Sequence, residues 1–275
     1  MNYKQAKKEG LERLFKAGVP DADVDTSILM EYVTGKKASE IFLIQTEKMP
    51  PEEEKRFFDL IAEREKRIPL QHITGSQEFM GLTFKVNEHT LVPRQDTEIL
   101  VEDTIKRVND GDRILDVCTG SGCILISVLK FKPLTTGMGV DISEEALKVA
   151  TENAESIGVK TDFIQSDLFT NVQKKFDIIV SNPPYIPSRF IPELMPEVRD
   201  HDPMNALDGG EDGLTFYRLI AREAPEYLFS HGRLSFEIGV GEREDVEQIM
   251  TENGFKDIEV IKDYSGNERV ITGHL

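Results

Sequence analysis

The chain has 275 residues, 39% of them hydrophobic, and sets 33 Lys plus Arg against 50 Asp plus Glu for a formal net charge of -17. Such a composition excludes a mainly disordered chain, and the length predicts one large domain or one large plus one small. The acidic balance offers no basic stripe to neutralise phosphates, so no direct nucleic-acid partner is expected. No apolar run approaches the roughly 18 residues of a membrane span. The first residues, MNYKQAKKEGLERLF, carry Glu9 and Glu12 among the lysines and contain no apolar core segment, which predicts a cytoplasmic protein. A monomer is expected.

Residues 1–70 read as a small helical domain. A helix over 4–17 stops at Gly18, Asp21 is placed to cap a second helix carrying Val24, Ile28, Leu29 and Val33 to a stop at Gly35, and Pro51 opens a third through EEEKRFFDLIAEREKR. From Pro69 the pattern changes. PLQHITGSQEFMGLTFKVNEHTLVPR holds turn residues at Thr74-Gly75 and Gly81 with β-type runs at 78–80 and 82–86, which predicts a β-hairpin linker over 71–92.

The remainder, 93–275, alternates. After a helix at 97–108, strand-like runs at 113–117, 136–141, 161–165, 176–181 and 233–238 are separated by helical stretches at 122–131, 143–157 and 214–229. A helix near 242–253 and two further runs at 257–261 and 268–273 close the chain. Alternation of this kind predicts an α/β fold with a doubly wound, mostly parallel sheet of seven strands, ending in a hairpin at one sheet edge.

In DVCTGSGC the first of these strands runs into Cys118, Thr119, Gly120, Ser121 and Gly122, then into an apolar helix. In doubly wound sheets a ligand sits beyond the carboxyl ends of the strands, and glycine after the first strand lets backbone approach it. Asp141 closes the second strand, where a carboxylate can accept both hydroxyls of a ribose. A dinucleotide fingerprint would place a third glycine where Leu125 stands, and the Lys-Ser/Thr of a phosphate loop is missing. A cofactor with ribose but no pyrophosphate fits best, and S-adenosylmethionine is the common one. Cys118 and Cys123 match no C-x-x-C spacing and read as small packed residues, with no metal expected.

The strand FDIIVS runs into Asn182-Pro183-Pro184-Tyr185 at the same end of the sheet. A conjugated NH2 is a poor nucleophile because its lone pair is delocalised, so catalysis must orient its two N–H groups. The Asn182 side-chain carbonyl and the Pro183 carbonyl are two acceptors for one NH2, and the prolines supply no competing backbone donor. Tyr185 can stack on a substrate plane and face a cation with its π cloud. Adenine N6, guanine N2 and a glutamine amide all meet this description, and a non-catalytic cofactor-binding module remains a reading of another class.

The Asp-x-x-Thr-Gly-Ser-Gly turn with an acidic second-strand end resembles the class I, Rossmann-like methyltransferases, and this implies a cofactor-facing acid at Asp167, beside Leu168. NPPY together with PLQHITGSQEFMGLTF, LVPRQDTE, ALDGGEDGL and NERVITG resembles the peptide chain release factor glutamine methyltransferases of the PrmC/HemK type, over about residues 65–275. The resemblance implies transfer from S-adenosylmethionine, leaving S-adenosylhomocysteine, to the glutamine amide of a release factor's Gly-Gly-Gln loop. It assigns Cys118 to Gly122, Asp141, Asp167, Leu168 and Asn182 to the cofactor. Asn182, Pro183, Pro184, Tyr185 and Phe79 go to the substrate. Residues 1–70 contain no recognisable catalytic residue and are expected to dock the partner, with simple support of the catalytic domain as the alternative. Relatives often carry Trp at the position of Leu168, so here less aromatic surface meets the adenine. Arg94 is expected to brace the hairpin or a carboxylate, and His72 and His201 to be packing or surface residues.

Overall fold

The computed structural model describes residues 1–275 and divides into two compact units, Met1–Gly75 with Met195–His201, and Ser76–Leu194 with Asp202–Leu275. The hairpin therefore belongs to the second unit and is not a separate linker. A short segment after the NPPY motif groups with the helical unit.

The first unit contains α1 (Tyr3–Lys16), α2 (Ala22–Thr34), α3 (Ala38–Leu43), α4 (Pro51–Arg64) and α5 (Leu70–Thr74). Asn2 and Gln5 cap α1 reciprocally, each side chain accepting the other's backbone N–H. Asp21 occupies the N-cap of α2, but its side chain makes no capping bond. Leu14, Leu29, Met30, Phe57 and Ile61 form the core. Arg64 is buried between two acids, donating to Asp25 at 2.7 Å and to Glu197 at 2.8 Å, and Arg67 grips Glu197 with two bonds of 2.6 Å. This ion cluster is why residues 195–201 join the helical unit, and sequence periodicity carries no trace of it.

The second unit opens with the hairpin β1 (Ser76–Phe79) and β2 (Leu82–Lys85). There follow α6 (Gln95–Arg107), β3 (Arg113–Val117), α7 (Cys123–Phe131), β4 (Thr136–Asp141), α8 (Glu144–Ile157), β5 (Asp162–Gln165) and β6 (Phe176–Ser181). After the single turn α9 (Pro196–Arg199) of the first unit come α10 (Thr215–Tyr227), β7 (Leu228–Glu237), α11 (Arg243–Glu252), β8 (Lys256–Lys262) and β9 (Glu268–His274). The main sheet has the order β5-β4-β3-β6-β7-β9-β8. All neighbours are parallel except β9, which runs antiparallel between β7 and β8. The expected doubly wound, seven-stranded sheet is what forms. The expected terminal hairpin forms one edge of the sheet, with the apolar β9 against β7 and the more polar β8 outermost.

Alternation along the central strands feeds two cores, one on each face. Leu115, Val117 and Ile179 pack with Tyr217, Ile220 and Val246, whereas Ile114, Ile178 and Val180 pack with Leu100, Ile124 and Leu125. Burial on both faces explains why β3 and β6 read as nearly continuous apolar runs. The chain leaves β3 toward β4 on one side and returns to β6 on the other, so a crevice opens at their carboxyl ends. No helix is long and apolar enough to cross a membrane.

Candidate active site

A cleft lies at that end of the sheet within the second unit. Cys118, Thr119, Gly120, Ser121, Asp141, Asp167, Leu168, Asn182 and Pro184 all line it. Its β3 wall is held from beneath by Asp116, whose buried carboxylate accepts the Thr119 hydroxyl at 2.6 Å. Burial raises this carboxyl to about 7, against the opposing hydrogen bond from Thr119. The two glycines divide the work. Gly120 has open space where a side chain would start, which leaves the cleft clear. Gly122 does not line the cleft, and a Cβ there would meet Ile126 at 2.8 Å and Ala150 and Phe163 at 3.1 Å, so it lets α7 close on the sheet. Cys118 and Leu168 both line the cleft with positive φ, 62° and 46°, a conformation non-glycine residues adopt rarely.

Asp141 closes β4, its Oδ2 accepting the Gly120 amide at 2.9 Å and its Oδ1 that of Ser143 at 2.9 Å. Burial raises its carboxyl above the ordinary value, and these backbone donors pull it back. The Asp141 carbonyl accepts the Ser166 amide at 2.9 Å, which brings the β5 loop with Asp167 and Leu168 alongside. Burial also pushes both thiols up, Cys123 to about 12 and Cys118 further, so neither is a nucleophile near neutral pH. No group of three or more His, Cys, Asp or Glu is arranged to hold a metal.

At the chemical end the Ser181 hydroxyl donates to the Val117 carbonyl at 2.6 Å, locking β6 to β3 just before the motif. Asn182 Nδ2 donates to Thr97 Oγ1 at 3.3 Å, so its Oδ1 is the atom left to receive an incoming N–H. Downstream, Ile186 and Asp208 bridge the motif to the ALDGG segment, with Ile186 N–H on the Leu207 carbonyl at 3.0 Å and Gly209 N–H on the Ile186 carbonyl at 2.9 Å.

Three residues expected at the substrate do not line the cleft. Pro183 is buried. Tyr185 packs against the sheet core, its hydroxyl 3.5 Å from Glu237 Oε1, so its ring is not a cleft wall. Phe79 is a correction: it is 1% exposed and meets Phe84 edge-on at 5.9 Å, because the hairpin's apolar side chains turn into the core beneath α6 and α7. Arg94 does line the cleft and donates to Asp202 Oδ2 at 2.8 Å, the carboxylate-bracing role. His72 and His201 belong to the first unit.

Thr97 and Glu237 escaped the sequence reading. Thr97 lies inside the LVPRQDTE segment, and Glu237 is an acid at the carboxyl end of an apolar strand, a position that always faces the ligand end of such a sheet.

Family models for the PrmC N-terminal domain and the methyltransferase small domain match residues 5–75 and 94–190. A release factor glutamine methyltransferase from Geobacter sulfurreducens is 40% identical over 263 residues, covering 95% of this chain and 93% of that one. Its counterpart from Agrobacterium fabrum is 41% identical over 269 residues, with the same two coverages of 95% and 93%. Among solved structures, a methyltransferase from Pyrococcus furiosus superposes with a TM-score of 0.56 at 18% identity, over 70% of this chain and 89% of that one. A 16S rRNA guanine N2 methyltransferase from T. thermophilus, in complex with AdoMet and guanosine, does so with 0.51 at 16% identity, over 72% and 49%. These two speak for the fold.

Proposed function

Because the chain belongs to the release factor glutamine methyltransferase family, we propose that it methylates the side-chain amide of the glutamine in the Gly-Gly-Gln loop of peptide chain release factors, with S-adenosylmethionine as donor. The observation that carries the reading is that Asp141 and Asn182, a ribose acceptor and an amide acceptor, line one cleft. The cleft suits such a cofactor: Gly120 leaves room, Asp141 offers a carboxylate, and Arg94, the one Lys or Arg in the lining, is already paired with Asp202. A nucleoside without phosphates fits that donor set, and Asp167 and Asp208 favour its positive charge.

When bound, S-adenosylmethionine supplies an electrophilic methyl and leaves as S-adenosylhomocysteine. Asp141 would hold the ribose, the loop from Cys118 to Ser121 would support the amino-acid end, and Leu168 would cover the adenine. Asn182 Oδ1, which lines the cleft, takes an N–H group of the glutamine amide and aims its lone pair along the line of transfer. Asn182 is neutral and is no strong base, so the amide nitrogen loses its proton to solvent only after its bond to the methyl has formed and the methyl's bond to sulfur has broken. The helical unit docks the protein substrate; exposed Phe15, Phe42 and Leu43 support that role.

Methyl transfer from labelled cofactor, offered a purified release factor in parallel with total RNA and DNA, tests the reading. Label enters the release factor, and Asn182→Ala loses most of it while calorimetry shows cofactor binding retained. Label in nucleic acid, or cofactor affinity lost in Asn182→Ala, overturns it.

A further inference from the structure

We propose that Gly209 is a positioning residue for methyl transfer: having no side chain, it lets the ALDGGEDGL segment lie directly on the backbone of the NPPY motif, and this contact sets where Asn182 stands in the cleft. The proposal rests on the reading that Asn182 holds the acceptor amide.

The two segments run side by side. Ile186 and Asp208 form a parallel bridge, with the Ile186 amide on the Leu207 carbonyl at 3.0 Å, the Gly209 amide on the Ile186 carbonyl at 2.9 Å and the Ser188 amide on the Gly210 carbonyl at 2.9 Å. The Ser188 hydroxyl donates to Asp208 Oδ1 at 2.7 Å, and the same oxygen accepts the Gly210 amide at 2.9 Å. Beside this bridge the chain leaves no room at Gly209. A Cβ there would stand 2.7 Å from Tyr185 Cα and 2.8 Å from the Tyr185 carbonyl carbon. Both are backbone atoms, so neither can swing aside as the end of a side chain can. Gly213 closes on the same peptide, a Cβ there falling 2.5 Å from the Tyr185 carbonyl oxygen, but its φ of +85° calls for glycine in any case. Gly209 is not at positive φ, so close contact alone accounts for its being glycine.

Tyr185 is the far end of a stiff link to Asn182. The rings of Pro183 and Pro184 fix their own φ, and the residue before each proline is confined to extended backbone. A displacement at Tyr185 is therefore carried back along the motif with little of it absorbed on the way. Tyr185 cannot escape by turning its ring, which packs against the sheet core. On the other side of Asn182, the Ser181 hydroxyl is bonded to the Val117 carbonyl at 2.6 Å, so β6 does not slide to compensate. What moves is the motif itself. Asn182 and Pro184 both line the cleft, and the Asn182 amide is steadied there by a bond of 3.3 Å to Thr97 Oγ1, long enough for a small shift to break it. This gives the ALDGGEDGL segment a part in the reaction without touching the reacting atoms.

The full-length chain, purified release factor and labelled S-adenosylmethionine test the proposal, using Gly209→Ala alone and with Asn182→Ala, and Gly158→Ala as a control. Gly158 is the C-cap of α8 at φ +77° with open space around it, so alanine there strains the backbone and lowers stability far from the motif in sequence. Gly209→Ala lowers kcat by about 10- to 100-fold, the scale of a misplaced reacting group. Its KM for the release factor and its calorimetric affinity for the cofactor stay near wild type, and Gly158→Ala keeps the wild-type kcat although its thermal unfolding midpoint falls. In the Asn182→Ala background Gly209→Ala lowers the residual rate no further, since it acts through that residue. If thermal unfolding shows that Gly209→Ala does not fold, Ser188→Ala carries the test: it removes only the exposed bond to Asp208, introduces no clash, and lowers kcat by about five-fold with cofactor affinity retained. Full kcat in folded Gly209→Ala, or in Ser188→Ala where that variant stands in, beside an inactive Asn182→Ala overturns this proposal and leaves the amide-holding role intact. Cofactor affinity lost in Gly209→Ala, an equal fall of kcat in Gly158→Ala, or a further loss in the Asn182→Ala background also overturns it. A fully active Asn182→Ala removes the reading on which it rests.

Discussion

Asp141 and Gly120 are tied directly, the Gly120 amide donating to Asp141 Oδ2 at 2.9 Å. The acid at the end of β4 therefore holds the glycine loop after β3 and faces the cleft at the same time. Its carboxylate is positioned before any ligand arrives, and little orientation remains to be frozen on binding.

Asp141→Ala weakens cofactor binding by about 1.5–3 kcal/mol through loss of charge-assisted bonds. Calorimetry with the cofactor and with its 2'-deoxyribose analogue checks this. Wild type discriminates against the analogue and Asp141→Ala barely does. Equal rejection by both would remove the ribose from Asp141.

Phe79→Ala is a stability variant. Emptying its site against Phe84 costs about 3–5 kcal/mol, measured by urea unfolding, while KM for the release factor in the folded fraction stays at the wild-type value. A raised KM with unchanged stability would return Phe79 to the acceptor pocket.

Arg64→Ala leaves Asp25 and Glu197 buried without their shared partner and costs about 3–5 kcal/mol. Replacing Lys55, exposed and paired with Asp59, changes stability by less than about 1 kcal/mol. Burial alone would raise Glu197, but the bonds from Arg67 and Arg64 outweigh it and hold the carboxyl at about 2, against an ordinary 4.5. Its contribution is therefore present above about 4.5 and lost as pH falls toward 2. Denaturation between pH 5 and 2.5 that is equally steep in wild type and Glu197→Gln would contradict the assignment.

Asp116 and Glu237 behave oppositely. Their carboxyls are raised by burial to about 7 from ordinary values of 3.8 and 4.5. In that window the folded chain binds more protons than the unfolded one, so stability without cofactor rises as pH falls from about 8 to 5.5. Urea midpoints at pH 8, 6.5 and 5.5 read this, and Asp116→Asn and Glu237→Gln each flatten the slope. A midpoint that falls over the same steps would show that these carboxyls are ionised throughout.

Local signals in the chain determined the elements and the two ends of the cleft. The strands RILDV, TGMGVD and FDIIVS stand where their apolar runs and flanking turns put them, at Arg113–Val117, Thr136–Asp141 and Phe176–Ser181. Period and turn chemistry act between residues close in sequence, and such information survives without coordinates. Asp141 and Asn182 were legible because each directly follows or ends a strand, and parallel strands share one carboxyl end.

Only the tertiary structure decided what depends on residues far apart. The sequence neighbours of Phe79 predict an acceptor-pocket residue, yet its direction is set by Phe84 and by the packing of α6 and α7. The sequence motif predicts Tyr185 stacked on the substrate, whereas in the fold its hydroxyl faces Glu237, 52 positions along, at the sheet core. The Thr97–Asn182 bond spans 85 positions and the Arg64–Glu197 bond 133. Hydrogen-bond polarity and buried charge pairing need both partners in place, and no pattern along one segment specifies a partner that the fold has yet to bring.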